Sequence, residues 1–361
     1  MVNSKKISYF FGALLFWVIV IFGVLYVPHF FKIFKSSRSI NVFLWSGVID
    51  TKIISDFTKQ TGINVHVSYF QSNDELMVKV LATKGSGYDL IMPSDYAVTF
   101  FAHNGLLKKI DKTKLDFWDN INKKFLGHSF DPENNYSIPA EWYVLGIGVN
   151  TKHFNGALPE ASWKTIFNPE FSTKQRIGLL NDNREMACLA VKYLFGNLRP
   201  ITKSETQEVK ELLMHQKKWV EAYTDFRGDF LLESGNCSVV VVPISALWKM
   251  LIKDPTIAFL LPKEGTLLGI ENYAILESST KADLVYQFIN YLFKLEVQKH
   301  NFHTRMSLST RVDAEFIKEV PVLEKCLAAV NASHFEGAAQ PFENVLTNDQ
   351  VNELCMALKG R

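Results

Sequence analysis

From residue 39 onward the chain alternates short apolar runs with longer amphipathic periods, and this alternation limits the architectures open to it. Ile40–Trp45 (INVFLW) reads as a buried strand. Asp50–Gln60 follows with Ile53, Ile54 and Phe57 at helical spacing, stopped by Thr61-Gly62. Ile63–Phe70 alternates Val65, Val67 and Tyr69 as a second strand, Asp74–Lys84 reads as a helix ending at Gly85, and Tyr88–Met92 as a third strand. Strand–helix–strand order of this kind predicts an α/β fold with a largely parallel sheet. The pattern restarts after residue 144, with strands expected at Val144–Val149, Ile177–Leu180 and Ser238–Val242 and helices near Arg184–Phe195 and Glu205–His215. Ala282–Leu295 carries Leu284, Val285, Phe288, Ile289 and Leu292 on one helical face. Two α/β halves without an internal repeat suggest two lobes and a cleft. Ligands of open α/β sheets bind beyond the carboxyl ends of strands, which points to the loops after Trp45, Met92 and Leu180.

The 361 residues are enough for two domains, and 47% hydrophobic with 21% charged residues is a globular composition. Disorder, collagen and a polytopic membrane protein are disfavoured by it. Charge is unevenly spread: residues 1–38 hold five basic side chains and no acid, leaving the remainder with 34 basic and 37 acidic ones. A mildly acidic body with no basic stripe gives no case for nucleic acid. Lys5-Lys6 precedes Ile7–Val27, 21 uncharged residues, enough to cross a bilayer as a helix. The run lacks both an A-x-A cleavage pattern and a lipid-anchor Cys, so residues 1–38 read as a signal peptide or as an uncleaved membrane anchor. Either way the chain beyond about residue 39 is expected outside the cytoplasm.

Four cysteines (Cys188, Cys237, Cys326, Cys355) stand far apart, which allows three pairings in an exported protein and selects none. Glu296, His300 and His303 have metal-like residue types, but surface coincidence explains them better. No phosphate loop, H-E-x-x-H or G-x-S-x-G occurs, and no metal or cofactor is implied.

Several stretches resemble the extracytoplasmic spermidine/putrescine-binding proteins of ABC transporters, within the type II periplasmic solute-binding family. They include Tyr88–Tyr96 (YDLIMPSDY), Phe130-Asp131-Pro132, Tyr136–Pro139, Trp142 and Ile147–Asn150. Phe57–Gly62, Ser162-Trp163, Asp182-x-Arg184-Glu185 and Pro262–Gly265 follow in the same family order. The resemblance implies two lobes joined by hinge crossovers: residues 39–143 with 269–314, and 144–268 with 315–361. It implies a small cationic solute, a polyamine foremost, delivered to an ABC permease. The location would be periplasmic, anchored to the inner membrane through residues 7–27 if the segment is uncleaved.

A polyamine site needs carboxylates for ammonium groups and aromatic faces for methylenes. By resemblance, Asp182 and Glu185 match the acidic pair, although D-x-x-E before a helix is also a capping signal. Glu271 stands where the family has an aspartate. Trp45 and Tyr96 match two aromatic walls, with Ser46 and Ser94 as hydrogen-bond donors beside them. The departures are aromatic: two tryptophans of the family fall at Val242 and Gly269, a tyrosine at Met306, another aromatic at Val48, and a glutamine near Ser333. Tyr273, Trp248 or Phe335 are candidates to refill the wall, and Val242→Trp is expected to strengthen polyamine binding. Rival readings are a binding protein for thiamine, an amino acid or an iron complex, and a membrane-anchored ligand-sensing domain. An enzyme would need a nucleophile in the cleft, for which Cys188 is the one nearby candidate.

Overall fold

The computed structural model describes residues 38–169, 176–224, 227–331, 339–341 and 345–359, with 16, 17 and 20 ahead of them. The expected membrane segment, residues 7–27, lies outside the described residues apart from Phe16, Trp17 and Val20, as do Ser333 and Phe335. No helix among the described residues is long and apolar enough to cross a membrane.

The described residues form ten strands: β1 (Ser39–Trp45), β2 (Asn64–Phe70), β3 (Leu90–Ile91), β4 (Ile138–Asn150), β5 (Ile177–Leu180), β6 (Val220–Thr224), β7 (Val239–Pro243), β8 (Ile257–Leu260), β9 (Thr266–Ile275) and β10 (Ala339–Pro341). They hydrogen-bond in the order β2-β1-β3-β9-β4-β7-β5-β6, with β10 beside β9 and β8 beside β4. Each end is parallel, as the strand–helix alternation predicts: β2, β1 and β3 on one side, β7, β5 and β6 on the other. The centre departs from that expectation. β4 and β9 run antiparallel to one another and to their neighbours β3, β7 and β8. The reason is topological. Ile138–Val144 of β4 pairs with β9, while Leu145–Val149 pairs with β7. β9 in turn reaches β3 through Ala274 and Ile275. Both strands therefore pass from one half to the other, giving a two-lobed molecule with two crossovers.

The helices form where the pattern places them. Asp50 caps Thr51–Thr61 and Gly62 ends it in the left-handed region at φ 71°, a conformation that costs glycine little. Ser72 caps Asn73–Thr83, and Asp182 caps Asn183–Phe195. The Tyr88–Met92 run is a strand only over Leu90–Ile91; ahead of it Asp89 N–H donates to Asn41 O (2.7 Å) while the Asp89 carboxylate accepts from Asn41 N (2.8 Å) and Ser279 Oγ (2.7 Å). The expected helix 282–295 stops at Leu292. Phe293 stacks on Phe117 with ring centroids 3.6 Å apart, and a new helix runs Leu295–Arg305. That helix turns His300 toward Asp50 (2.9 Å) and His303 toward Glu319 (2.8 Å), so the two imidazoles serve different carboxylates.

One core lies between β1, β9 and helix Ala282–Leu292, with Phe57, Phe288 and Phe293 fully buried. A second packs helix Asn183–Phe195 against β4, β5 and β7 around Trp163 and Phe167. None of the four cysteines is in a disulfide. Cys188, Cys237 and Cys326 are buried, which pushes each thiol up to about 12.

The placement of Val242 overturns one expectation. Its side chain is fully buried in β7, and a Cβ added at Gly228 would come within 2.2 Å of its Cγ1. It does not face the cleft, so it offers no seat for a ligand-covering aromatic. Val242→Trp is therefore expected to lower unfolding free energy by about 3 kcal/mol through overpacking, as read from urea denaturation. An unchanged midpoint would show that the site can expand.

Candidate functional site

A cleft of about 1030 Å³ opens between the halves, beyond the carboxyl ends of β1, β3 and β5. Trp45, Ser94, Tyr96, Asp182, Glu185 and Glu271 line it. The structure thus brings together six of the seven expected residues from four separate stretches of chain. Ser46 is the exception: it is exposed in the turn after β1, where its backbone N–H donates to Phe70 O at 3.0 Å, and it does not line the cleft.

Glu271 sits within β9 and is only 9% exposed, so it is not a solvated strand end. Two donors hold its carboxylate, Trp45 Nε1 on Oε2 at 2.7 Å and Ser94 Oγ on Oε1 at 2.8 Å. Trp45 is steadied in turn by Phe70, with ring centroids 4.5 Å apart. Asn73, buried at the start of its helix, donates to Ser94 Oγ and to Tyr96 OH, both at 3.0 Å. The Tyr96 hydroxyl spans the cleft to Asp182 Oδ2 at 3.3 Å. The Arg184 guanidinium lies 5.2 Å from the Tyr96 ring centre and donates to Leu346 O at 3.0 Å.

Asp182 accepts from Glu185 N at 2.9 Å, the capping role that its D-x-x-E context suggests. The box is not reciprocal, because the Glu185 carboxylate turns away and accepts from Tyr143 OH at 2.7 Å. Asp182 therefore caps with one oxygen and faces Tyr96 with the other.

Taking these acids out of water disfavours their charged forms. Burial pushes Glu271 up to about 8, against the pull of the Ser94 and Trp45 hydrogen bonds. Burial and then the Asp182 charge push Glu185 well above the usual carboxylate range. Asp182 is raised as well, by lost hydration, with the Glu185 backbone N–H working the other way. Three carboxyls that resist ionisation together form a site whose charged state calls for positive charge beyond the one guanidinium, Arg184, in its lining. No lysine is among the described residues that line it.

Sequence reasoning missed Asn73, Tyr143 and Arg184. Tyr143 lay hidden because β4 is buried almost throughout and shows no alternation to single out its cleft-facing side chain. Among the proposed aromatic replacements, Tyr273 is buried in the core of the first half and Trp248 packs against a third apolar cluster that includes Leu232, Val240 and Leu247, and neither lines the cleft. Val48 is half-buried against the first core, and Met306 is a buried helix end at φ 56°. Cys188 is buried within its helix and does not line the cleft either.

The comparisons with known proteins agree with this geometry. Residues 52–320 match the family described as bacterial extracellular solute-binding protein. The chain belongs to that family. It is 28% identical over 262 residues to the spermidine/putrescine-binding periplasmic protein of Salmonella typhimurium, covering 71% of this chain and 72% of that one. It is 29% identical over 277 residues to the putrescine-binding periplasmic protein SpuD of Pseudomonas aeruginosa, covering 72% and 75%. In fold it is similar to the spermidine/putrescine ABC transporter substrate-binding protein PotD of Streptococcus pneumoniae, with a TM-score of 0.73 at 24% identity over 89% of this chain and 100% of that one. The chain is thus a solute-binding protein of the type II periplasmic fold.

The raised acids have a consequence for stability. Glu271 binds its proton more tightly in the folded protein than at its ordinary 4.5, so between 4.5 and about 8 the folded state holds a proton the unfolded one has lost. The stability this group contributes is complete below 4.5 and is lost as pH rises through about 8. Melting temperature of the ligand-free protein should fall across that window, and Glu271→Gln should make the fall shallower. Identical slopes in the two proteins would show that Glu271 does not titrate there.

Proposed function

We propose that this protein captures a small cationic solute, a polyamine of the spermidine or putrescine type, and delivers it to an ABC permease. The observation that carries the reading is the set of carboxyls facing one cleft between aromatic walls, Glu271 and Glu185 buried and Asp182 half-buried. Ammonium groups would supply the missing positive charge at the acids, while Trp45, Tyr96 and Tyr143 would cover the methylenes. The names of the periplasmic relatives support the same solute class.

The lobes in this reading are residues 39–143 with 269–314, and 144–268 with 315–361. The change of β4 partner between Val144 and Leu145 supports that division. Closure would swing the lobes about β4 and β9, driven by tighter binding in the closed form. Tyr96 and Asp182, already in contact across the gap, would lie near the line where the walls meet. The working location is the periplasm, with residues 1–38 acting either as a removable signal or as an inner-membrane anchor. The protein would act as a carrier without chemistry of its own: its buried Cys188 thiol, raised to about 12, is a poor nucleophile.

A thermal-shift screen of the full chain against spermidine, putrescine, thiamine, amino acids and ferric complexes tests the reading. A polyamine at 100-fold its dissociation constant should stabilise the fold by about 2.7 kcal/mol. A shift with another solute alone would overturn the polyamine assignment while keeping the carrier. Asp182→Asn retains a capping side chain and so should leave stability nearly unchanged. The same variant should weaken polyamine binding by about 2 kcal/mol, as measured by calorimetry, and unaltered affinity would reduce Asp182 to a cap.

A further inference from the structure

A helix packed on one side needs one apolar stripe, and helix Asn73–Thr83 carries two. Leu76 and Val80 are fully buried, and Asn73 donates to Ser94 Oγ and Tyr96 OH, so this side fixes the helix to the first half. Glu75 and Lys79 pair with one another at 2.6 Å on a second side. Met77, Val78 and Leu81 share the third, at helical spacing from Asp74, and all four line the cleft. Val78 is 68% exposed and Leu81 48%. Phe100 of the next helix, Asp95–His103, is half-buried and lines the cleft as well.

The last helix, Asn348–Lys359, lines the same cleft from the second half. Leu354 is fully buried, Gln350 Nε2 donates to Ile201 O at 3.0 Å and to Thr206 Oγ1 at 2.8 Å, and Lys210 Nζ meets Glu353 Oε1 at 3.1 Å. These contacts tie it to the helix Lys203–Gln216 and leave Val351 and Cys355, one turn apart, on its cleft face. Leu346 lines the cleft just ahead of it. The acids lie at one end of this arrangement. Asp74, at the head of the stripe, is near enough to Asp182 for its charge to oppose ionisation there. Leu81 is two turns further on, about 10 Å along the axis. Apolar side chains on both walls, beyond the acids, stay in contact with water as long as the walls stand apart.

We infer that these two faces form a closing seam: when the halves swing together, Met77, Val78 and Leu81 of the first pack on Val351 and Cys355 of the second, and this contact, made by no atom of the solute, adds to the affinity for it. This rests on the closure described above and names what closes. A solute shifts the molecule toward the closed form only by the difference in its binding free energy to the two states. The seam lowers the closed form independently of the solute, and apparent affinity rises with the fraction of molecules in the binding-competent form.

Three variants of the full chain test this. Val78→Gln combined with Leu81→Gln keeps helix-forming side chains and adds no charge. It should weaken putrescine binding about tenfold by calorimetry. Its ligand-free melting temperature should match that of wild type, because both side chains are exposed. Val78→Cys and, separately, Leu81→Cys offer a sulfur to Cys355, and a disulfide requires the Cα atoms to come within about 7 Å. Oxidation should link residue 355 to at least one of these positions, and faster when putrescine is present. Unchanged affinity in the glutamine variant overturns the seam and leaves the stripe to a partner protein. Absence of the disulfide from both cysteine variants overturns it too, as does a rate indifferent to putrescine in a protein that binds it. A wild type silent to putrescine overturns the polyamine reading alone, and the seam then stands or falls on whether the disulfide forms.

Discussion

The antiparallel pairing of β4 with β9 is the contact on which the rest of this molecule depends. Each strand satisfies its backbone partly in one half and partly in the other, so neither lobe can form its sheet edge without the chain that also builds its neighbour. Function follows from the same geometry. Glu271 and Tyr143 ride on the two crossing strands, whereas Trp45, Ser94 and Tyr96 belong to one wall and Asp182 and Glu185 to the other. Residues that must meet a ligand from two sides are thereby mounted on elements that join there.

The acids are arranged for a visitor rather than for the ligand-free state. A buried carboxyl is costly when charged and tolerable when it holds a proton or a cation. Surrounding donors from Trp45, Ser94, Tyr96 and Tyr143 fix where the oxygens point without neutralising them. Orientation is therefore settled before the solute arrives, and less freedom is lost when it binds. The Arg184 guanidinium, set against the Tyr96 ring in the same lining, pulls the Asp182 carboxyl down against the effect of its burial.

Much of the fold was legible in the sequence because it rests on local periodicity. The helices from Thr51 and Asn183 begin where Asp50 and Asp182 announce a cap, and the strands β1, β2 and β5 fall within a residue of their apolar runs. What stayed hidden was non-local. Nothing in the text Tyr88–Met92 shows that the Asp89 side chain accepts from Asn41 N, and nothing in Ala282–Leu295 shows that Phe293 leaves its helix to stack on Phe117. In the site, Asp182, Glu185 and Glu271 were singled out by family resemblance alone, since the D-x-x-E spacing by itself reads as a helix cap, whereas the fit of Tyr143 over Gly269 depends on which strand lies opposite which. Val242 shows the same limit in reverse: a position matched to the cleft by order along the chain is buried against Gly228 in space.

The distribution of thiols gives the molecule a practical handle. Cys188, Cys237 and Cys326 are shut inside the cores with their protons held up to about 12, while Cys355, on the last helix, is half-exposed at the mouth of the cleft. An alkylating dye under mild conditions meets one sulfur well before the other three. A fluorophore attached there would sit where the walls approach each other, turning the unaltered chain into an optical gauge of how far the mouth is open.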